Sequence, residues 1–151
     1  MRLVRYAIRW GPLIGWMGVL FYLSSRSTLP GPPQALGPIA RVSFFDKIEH
    51  LVAYLVLALL TLWALYSMRP ILLRSAIVVG ITFTYGLSDE MHQAFVPRRE
   101  FAWGDLAADT MAGVIVASAT VLAWLAFRAR PWRRPSAARP APDAGDVPPG
   151  P

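Results

Sequence analysis

The chain has 151 residues, of which 55% are hydrophobic and 16% are charged, and its formal net charge at pH 7 is +6. Long uncharged runs and six tryptophans are typical of an integral membrane protein and argue against an ordinary soluble domain. Because the chain contains no cysteine, disulfides, a thiolate nucleophile and cysteine-bound metal are excluded. The basic residues flank apolar runs and form no patch with stacking aromatics, so nucleic acid is not an expected partner.

Four apolar segments predict four transmembrane helices, over residues 6–23, 50–66, 71–87 and 106–127. At about 1.5 Å per residue, a segment of roughly eighteen residues spans about 27 Å, close to the hydrocarbon core of a bilayer. The first segment could also be a cleaved signal peptide, but its bulky tryptophans and the lack of a small-residue cleavage pattern favour a retained span. The sequence therefore predicts an all-α, polytopic membrane domain over residues 1–128.

The connecting segments are predicted from their prolines and charges. Residues 24–45 contain four prolines and no helical periodicity, which predicts a loop on the membrane surface. Residues 46–50 are then the first turns of the second helix, and residues 68–70 form a tight turn. Residues 129–151, rich in proline, arginine and alanine, predict a disordered cytoplasmic tail.

Two features predict how the fourth helix starts and packs. Asp105 is a candidate N-cap, because a carboxylate suits the positive end of a helix. Gly113 and Ala117 have the spacing of a small-residue pair, which would let another helix approach closely.

The distribution of charge predicts the orientation in the membrane. With four spans, ten of the fifteen basic residues fall on the side of the termini and five on the opposite side. Basic residues are retained on the cytoplasmic side, so both termini are expected in the cytoplasm and the protein in the inner membrane. Seven of the nine acidic residues would then lie towards the extracytoplasmic face.

The first polar motif lies at the start of the second helix. Asp46, His50 and Tyr54 are spaced four residues apart and would share one helix face. Asp46 could then orient His50 as a general base or a metal ligand. Alternatively, Asp46 and Lys47 occupy an exposed helix start while His50 and Tyr54 lie in the interfacial belt, and spacing alone favours this second interpretation.

The second polar motif ends the third helix. Glu90 and Gln93 lie three residues apart, and Asp89 and His92 repeat this spacing one position earlier. Since adjacent positions point in different directions on a helix, only one pair is expected to face inward. We expect Glu90 and Gln93 to do so and Asp89 and His92 to lie nearer the rim. The alternative is that the whole motif is the solvated end of the helix.

Asp105 and Asp109 would share a face of the fourth helix, with Asp109 lying deeper. A carboxylate at that depth needs a cationic partner. Arg98 and Arg99, in the preceding loop, are the nearest candidates in the sequence.

These motifs, taken together, resemble the VanZ-like membrane proteins, a family named for a protein associated with teicoplanin resistance. The matching stretches are FYLSS at 21–25, DKIEHLVAY at 46–54 and DEMHQAFVPRREFAWGDLAADTMAG at 89–113. Each motif is weak alone, but their order on four apolar spans is specific. The resemblance covers about residues 10–128 and leaves the tail outside.

The resemblance implies that the family's characteristic polar positions are shared here. They are Asp46, Lys47, His50, Glu90, Gln93, Arg99, Asp105 and Asp109. With the resemblance added, a shared site becomes the preferred interpretation. One departure is Arg98, which stands where the family typically has glycine in a Pro-Gly-Arg turn. If that glycine has a positive φ, Arg98 either strains the turn or the turn differs.

Two classes of function are consistent with these residues. In an enzyme acting on an envelope lipid, cell-wall precursor or glycopeptide, His50 or Glu90 would transfer protons and Asp46 would orient the histidine. Arg99 and Lys47 would hold an anionic group. The predicted substrate-binding residues are Lys47, Tyr54, Gln93, Arg99, Asp105 and Asp109. In a non-catalytic protein, the same cluster would bind a partner or connect helix ends through ion pairs.

Two further alternatives are disfavoured. A metal site of His50, Glu90, Asp105 and Asp109 lacks an HExxH-type spacing, and nearby basic residues would compete for the carboxylates. A transport pathway would need polar residues through the whole bundle, whereas the acids and histidines gather at one end. We therefore predict no cofactor or metal. Membrane lipids are the expected partners, and the sequence does not determine the oligomeric state.

Overall fold

The computed structural model describes the backbone of residues 2–27 and 38–129 and the side chains of residues 4–27 and 47–129. Within these ranges every regular element is an α-helix: α1 (Arg2–Ser24), α2 (Pro38–Ala64), α3 (Ile71–Gln93) and α4 (Trp103–Ala129). Three of them, α2, α3 and α4, are long and apolar enough to cross a membrane. The all-α prediction is confirmed for the described residues. The predicted tail from residue 130 onward lies outside them.

The helices occur where the apolar segments predicted them, but α1, α2 and α4 begin earlier than predicted. α2 begins at Pro38, inside the segment predicted as a loop. Proline is tolerated in the first turn of a helix, where its missing N–H is not needed, and no proline follows until Pro70. α4 begins at Trp103, so Asp105 lies in the first turn and is not the N-cap. Its carboxylate still lies near the positive end of the helix.

α3 and α4 pack closely because small residues face each other. A Cβ placed on Gly113 would overlap the hydroxyl of Thr82 and would lie 3.2 Å from the Cα of Val79. Ala117 is also buried. The small-residue prediction is therefore confirmed, and this close approach sets the spacing of the two helices that carry Glu90 and Asp109.

α1 lies against α2 and, over a smaller area, against α3. Hydrogen bonds reinforce its apolar contacts: the Trp16 indole N–H donates to the Ala53 carbonyl at 3.0 Å, and the Tyr85 hydroxyl donates to the Met17 carbonyl at 2.5 Å. At the opposite end, Arg9 donates to the Ala64 carbonyl at 2.6 Å. These bonds hold α1 to the other helices along its length.

The buried face of α3 ends in three polar residues at its C-terminal end. It comprises Ser75, Val78, Thr82, Gly86, Asp89, Glu90 and Gln93. The inward position of Glu90 and Gln93 is confirmed. The rim position expected for Asp89 is wrong, since only 7% of this residue is exposed. Both neighbours are buried because Asp89 faces α1 and α2 while Glu90 faces the start of α4.

Candidate functional site

Three ionisable side chains from three different helices meet in the interior. They are His50 on α2, Glu90 on α3 and Asp109 on α4, and one nitrogen or oxygen atom from each lies within 4.8 Å of the others. Glu90 and Asp109 are fully buried, with 0% of either residue exposed. Isolated charges are costly at such positions, so these groups require partners.

His50 and Asp109 form the closest pair. The Nδ1 atom of His50 lies 3.0 Å from the Oδ1 atom of Asp109, and the imidazole stacks on the ring of Tyr54 at a centroid distance of 6.3 Å. Arg98 and Arg99 were predicted to neutralise Asp109, but His50 is its contact. The side chain of Asp46, predicted to orient His50, lies outside the described residues.

Glu90 connects the end of α3 to the start of α4. Its Oε2 atom accepts a hydrogen bond from the backbone N–H of Ala102, the residue before α4, at 2.7 Å. Its Oε1 atom is buried without a hydrogen-bond partner, and so is the Oδ2 atom of Asp109. Gly86 makes room for Asp109, since a Cβ there would lie 2.8 Å from Oδ2. The site thus contains two buried carboxylate oxygens that have no partner among the described residues.

The two basic residues predicted to bind an anion are both engaged. The ammonium of Lys47, whose side chain is 41% exposed, lies 2.9 Å from Oδ1 of Asp105. Arg99 donates to Oε1 of Gln93 at 3.1 Å, and Gln93 donates through Nε2 to Oδ2 of Asp89 at 3.1 Å. The arginine is thereby linked through the amide to a buried carboxylate, which limits the positions its guanidinium can occupy.

A cavity of about 560 Å³ lies beside this polar cluster, between α1, α2 and the end of α3. Its polar lining residues are Ser24, Glu49, His50, Tyr54, Asp89, Gln93 and Arg99. Its apolar lining residues are Trp16, Leu20, Leu23, Ile48, Val52, Ala53 and Val56. Leu23, Ile48 and Val52 are themselves between 38% and 54% exposed. The cavity therefore opens between apolar side chains on the outside of the bundle.

Most of the predicted site residues lie at this one end of the bundle. His50, Glu90 and Asp109 form the centre, Lys47 pairs with Asp105 beside it, and the remaining predicted residues are Tyr54, Gln93 and Arg99, which line the cavity. His92 lies at the rim as expected, where its Nε2 is 3.0 Å from the hydroxyl of Ser25.

Sequence reasoning missed the burial of Asp89, the role of Gly86 and the backbone N–H of Ala102. The burial of Asp89 could have been found, because this residue continues a helical stripe through Val78, Thr82 and Gly86. The hydrogen bond from Ala102 has no signal in the sequence.

The long apolar helices and the buried acid and histidine cluster define a multi-pass helical membrane protein with a buried polar cluster. Within that class, the chain belongs to the VanZ/LLP1 family, whose family model matches residues 10–127. The resemblance seen in the sequence is thereby confirmed. No curated protein and no solved structure matches the chain.

Proposed function

We propose that this chain is a four-span protein of the inner membrane that binds and processes the head group of an envelope lipid or a lipid-linked cell-wall precursor at the extracytoplasmic face. α1 is taken as the fourth span because its hydrogen bonds to α2 and α3 align it with the bundle. The excess of basic residues near both termini supports a cytoplasmic location for them. The polar cluster then lies in the extracytoplasmic half.

The observation that carries the proposal is the mixed lining of the cavity. It combines two carboxylates, an imidazole, an amide and a guanidinium with apolar side chains, some of which are exposed on the outside of the bundle. An amphiphile fits such a cavity, because its head group can pair with Arg99 while its chain lies against Leu23 and Val52. A lipid could enter sideways from the bilayer without leaving it.

The polar residues would have different roles at the head group. Arg99 would bind an anionic group such as phosphate, since a guanidinium can form two parallel hydrogen bonds. His50 would act as general base or acid towards the bound head group, because Asp109 fixes the orientation of its imidazole. Glu90 would be the second group able to transfer a proton in the site. If the bound molecule is a cell-wall precursor, the protein would affect glycopeptide susceptibility.

A structural role is the second candidate. The Lys47–Asp105 pair joins α2 to α4, and Glu90 joins α3 to the start of α4. A cluster built only to connect helix ends would contain these contacts too. A purely structural cluster would not require the apolar cavity. A variant that keeps the fold but loses function therefore favours the binding site over the structural role.

The test compares envelope lipids and cell-wall precursors by untargeted mass spectrometry in cells with the wild type, with Glu90→Gln at equal membrane abundance, and without the protein. We expect a species that is produced or consumed only with the wild type. Identical profiles in the three strains would contradict the processing role. Loss of the variant from the membrane would favour the structural role.

A second pair of variants tests the route into the cavity. Val52→Trp places a large ring at an apolar lining residue of the cavity, whereas Leu59→Trp places the same ring on α2 outside the cavity lining. The two positions are matched, since Val52 is 54% and Leu59 is 55% exposed. We expect only Val52→Trp to abolish the lipid difference. Equal behaviour of the two variants would argue against entry of a lipid at this point.

A further inference from the structure

We propose that His50, Glu90 and Asp109 bind a divalent transition-metal ion that accepts mixed nitrogen and oxygen ligands, such as Zn²⁺ or Mn²⁺. The inference goes beyond the proposed function, because ion binding is independent of which head group is bound. With an ion bound, His50 is a ligand and no longer the acid or base, since one ring nitrogen then holds the metal and the other bonds to Asp109. It also departs from the expectation drawn from the sequence, which favoured a site without metal.

The first support is the geometry of the three side chains. An imidazole and two carboxylates offer ligand atoms within 4.8 Å of one another, as the ligands of one ion must. Both carboxylates come from fully buried residues, and each has an oxygen without a hydrogen-bond partner, Oε1 of Glu90 and Oδ2 of Asp109. Buried polar atoms are rarely left unpaired, so these oxygens point to a ligand that completes the site.

The second support is the balance of charge. Four carboxylates are buried at this end of the bundle, those of Asp89, Glu90, Asp105 and Asp109. Among the described side chains, only Lys47 forms an ion pair with a permanent positive charge, to Asp105, while the imidazole of His50 bonds to Asp109. Glu90 has only the Ala102 N–H, a neutral donor. A divalent cation would supply the missing positive charge in this low-dielectric region.

The structure also removes the main argument against a metal. Basic side chains were expected to compete for the carboxylates, but Lys47 is held by Asp105 and Arg99 by Gln93. Neither contacts Glu90 or Asp109. The ligands come from three helices, which explains why no single helix carries a metal-binding spacing. Asp105 belonged to the metal site considered from the sequence. Its carboxylate pairs with Lys47, so it is not one of the proposed ligands.

The composition of the site indicates the class of ion. Imidazole suits Zn²⁺ and other transition metals, while carboxylates are also accepted by Mn²⁺. Three protein ligands leave a coordination position open, as in catalytic metal sites and unlike closed structural ones. Because His50 also lines the cavity, an ion held by it would lie beside the cavity that receives the head group. Its role there would be to bind a water or a head-group oxygen.

The experiment uses the full chain, purified in detergent without an affinity tag and stripped with EDTA. Equilibrium dialysis against Zn²⁺ or Mn²⁺ alone, followed by elemental mass spectrometry, gives the number of ions per chain and the affinity. We expect a single saturable site. In Glu90→Gln and Asp109→Asn the affinity should fall roughly tenfold or more. Absence of saturable binding to the wild type overturns the proposal, whatever the variants do.

Two matched pairs of variants test whether the proposed ligands, and not nearby residues of the same type, hold the ion. The chain has two histidines, so His50→Gln should lose binding while His92→Gln should retain it. Asp89→Asn removes a buried carboxylate close to the site that is not in the ligand set and whose hydrogen-bond partner is the neutral amide of Gln93, so its affinity should match the wild type. If Asp89→Asn weakens binding as much as Glu90→Gln does, the ion is attracted by general negative charge and the proposed ligand set is wrong.

A stability measurement covers the case in which a variant folds poorly. A bound ion should raise the Tm of the wild type in a concentration-dependent way, because it binds only the folded state. Neither Zn²⁺ nor Mn²⁺ should raise the Tm of Glu90→Gln. An ion that raises the Tm of both proteins equally contradicts the ligand assignment. Failure of ion binding leaves the proposed lipid function intact, since that is measured separately by the lipid profile.

Discussion

At the scale of single residues, Arg98 shows how a backbone conformation can be anticipated from sequence. Its φ is 67°, in the left-handed region, and it is the only non-glycine residue with positive φ in the part of the chain that the structure describes. The family resemblance placed a glycine at this position, and the structure confirms the conformation that glycine would favour. Arg98 therefore carries a steric cost that its own side chain does not offset by any hydrogen bond among the described residues.

Replacing Arg98 by glycine should stabilise the protein. The Arg98→Gly variant removes the clash of Cβ with the backbone, so we expect the free energy of unfolding to rise by about 1 kcal/mol. Thermal unfolding in detergent measures this as a higher Tm. The control is Glu100→Gly in the same loop, where φ is not positive and glycine should bring no gain. A fall in Tm for Arg98→Gly would mean that the arginine side chain stabilises the turn.

At the scale of the elements, the packing of α3 on α4 determines whether the site forms. Gly86 and Gly113 each face the partner helix at a point where a Cβ would overlap an atom of Asp109 or Thr82. These contacts bring Glu90 and Asp109 within reach of one another. A small change in helix spacing should therefore affect both stability and the site.

Gly113→Ala should destabilise the bundle. The added methyl would meet Thr82 and lie 3.2 Å from the Val79 backbone, so the helices must move apart. We expect a loss of about 1–3 kcal/mol and a lower Tm, as for an overpacked core. The control is Gly80→Ala on α3, where nothing lies within 4 Å of the new Cβ. Gly80→Ala should be neutral or slightly stabilising, and a similar loss in both variants would show that packing is not the cause.

α1 is joined to α2 and α3 by side-chain hydrogen bonds. Trp16→Phe keeps an aromatic ring against α2 but removes the N–H that donates to Ala53. We expect a loss of about 0.5–1 kcal/mol, measured as a lower Tm. Trp10→Phe is the control, since Trp10 packs against the core and its indole forms no side-chain hydrogen bond within the described part of the chain. An equal effect of the two changes would assign the stabilisation to ring packing alone.

The sequence predicted the helices better than the contacts between them. Apolar runs and prolines located four helices, and the order of polar motifs located the end of the bundle where the site lies. The pair formed by His50 and Asp109 could not be predicted, because it joins positions 59 residues apart and depends on the relative rotation of α2 and α4. Asp89 was misplaced because only one neighbour of α3 was considered, although its end faces α1 and α2 on one side and α4 on the other.

At the scale of the whole molecule, orientation in the membrane decides which substrates can reach the site. Since the chain has no cysteine, single cysteines can be placed without removing native ones. Val4, Ser27, Ser67 and Glu100 are exposed positions near the start of α1, after α1, between α2 and α3, and between α3 and α4. In a four-span protein with cytoplasmic termini, the first and third positions lie inside and the other two outside.

A membrane-impermeant maleimide added to spheroplasts should therefore label Ser27→Cys and Glu100→Cys directly. Val4→Cys and Ser67→Cys should react only after the membrane is permeabilised. The reverse pattern would put the polar cluster on the cytoplasmic side and exclude processing of an extracytoplasmic head group. Labelling of Val4→Cys and Ser27→Cys from the same side would show that α1 does not cross the membrane. The cavity between α1 and α2 would then open near the membrane surface, and entry of a lipid from within the bilayer would have to be abandoned.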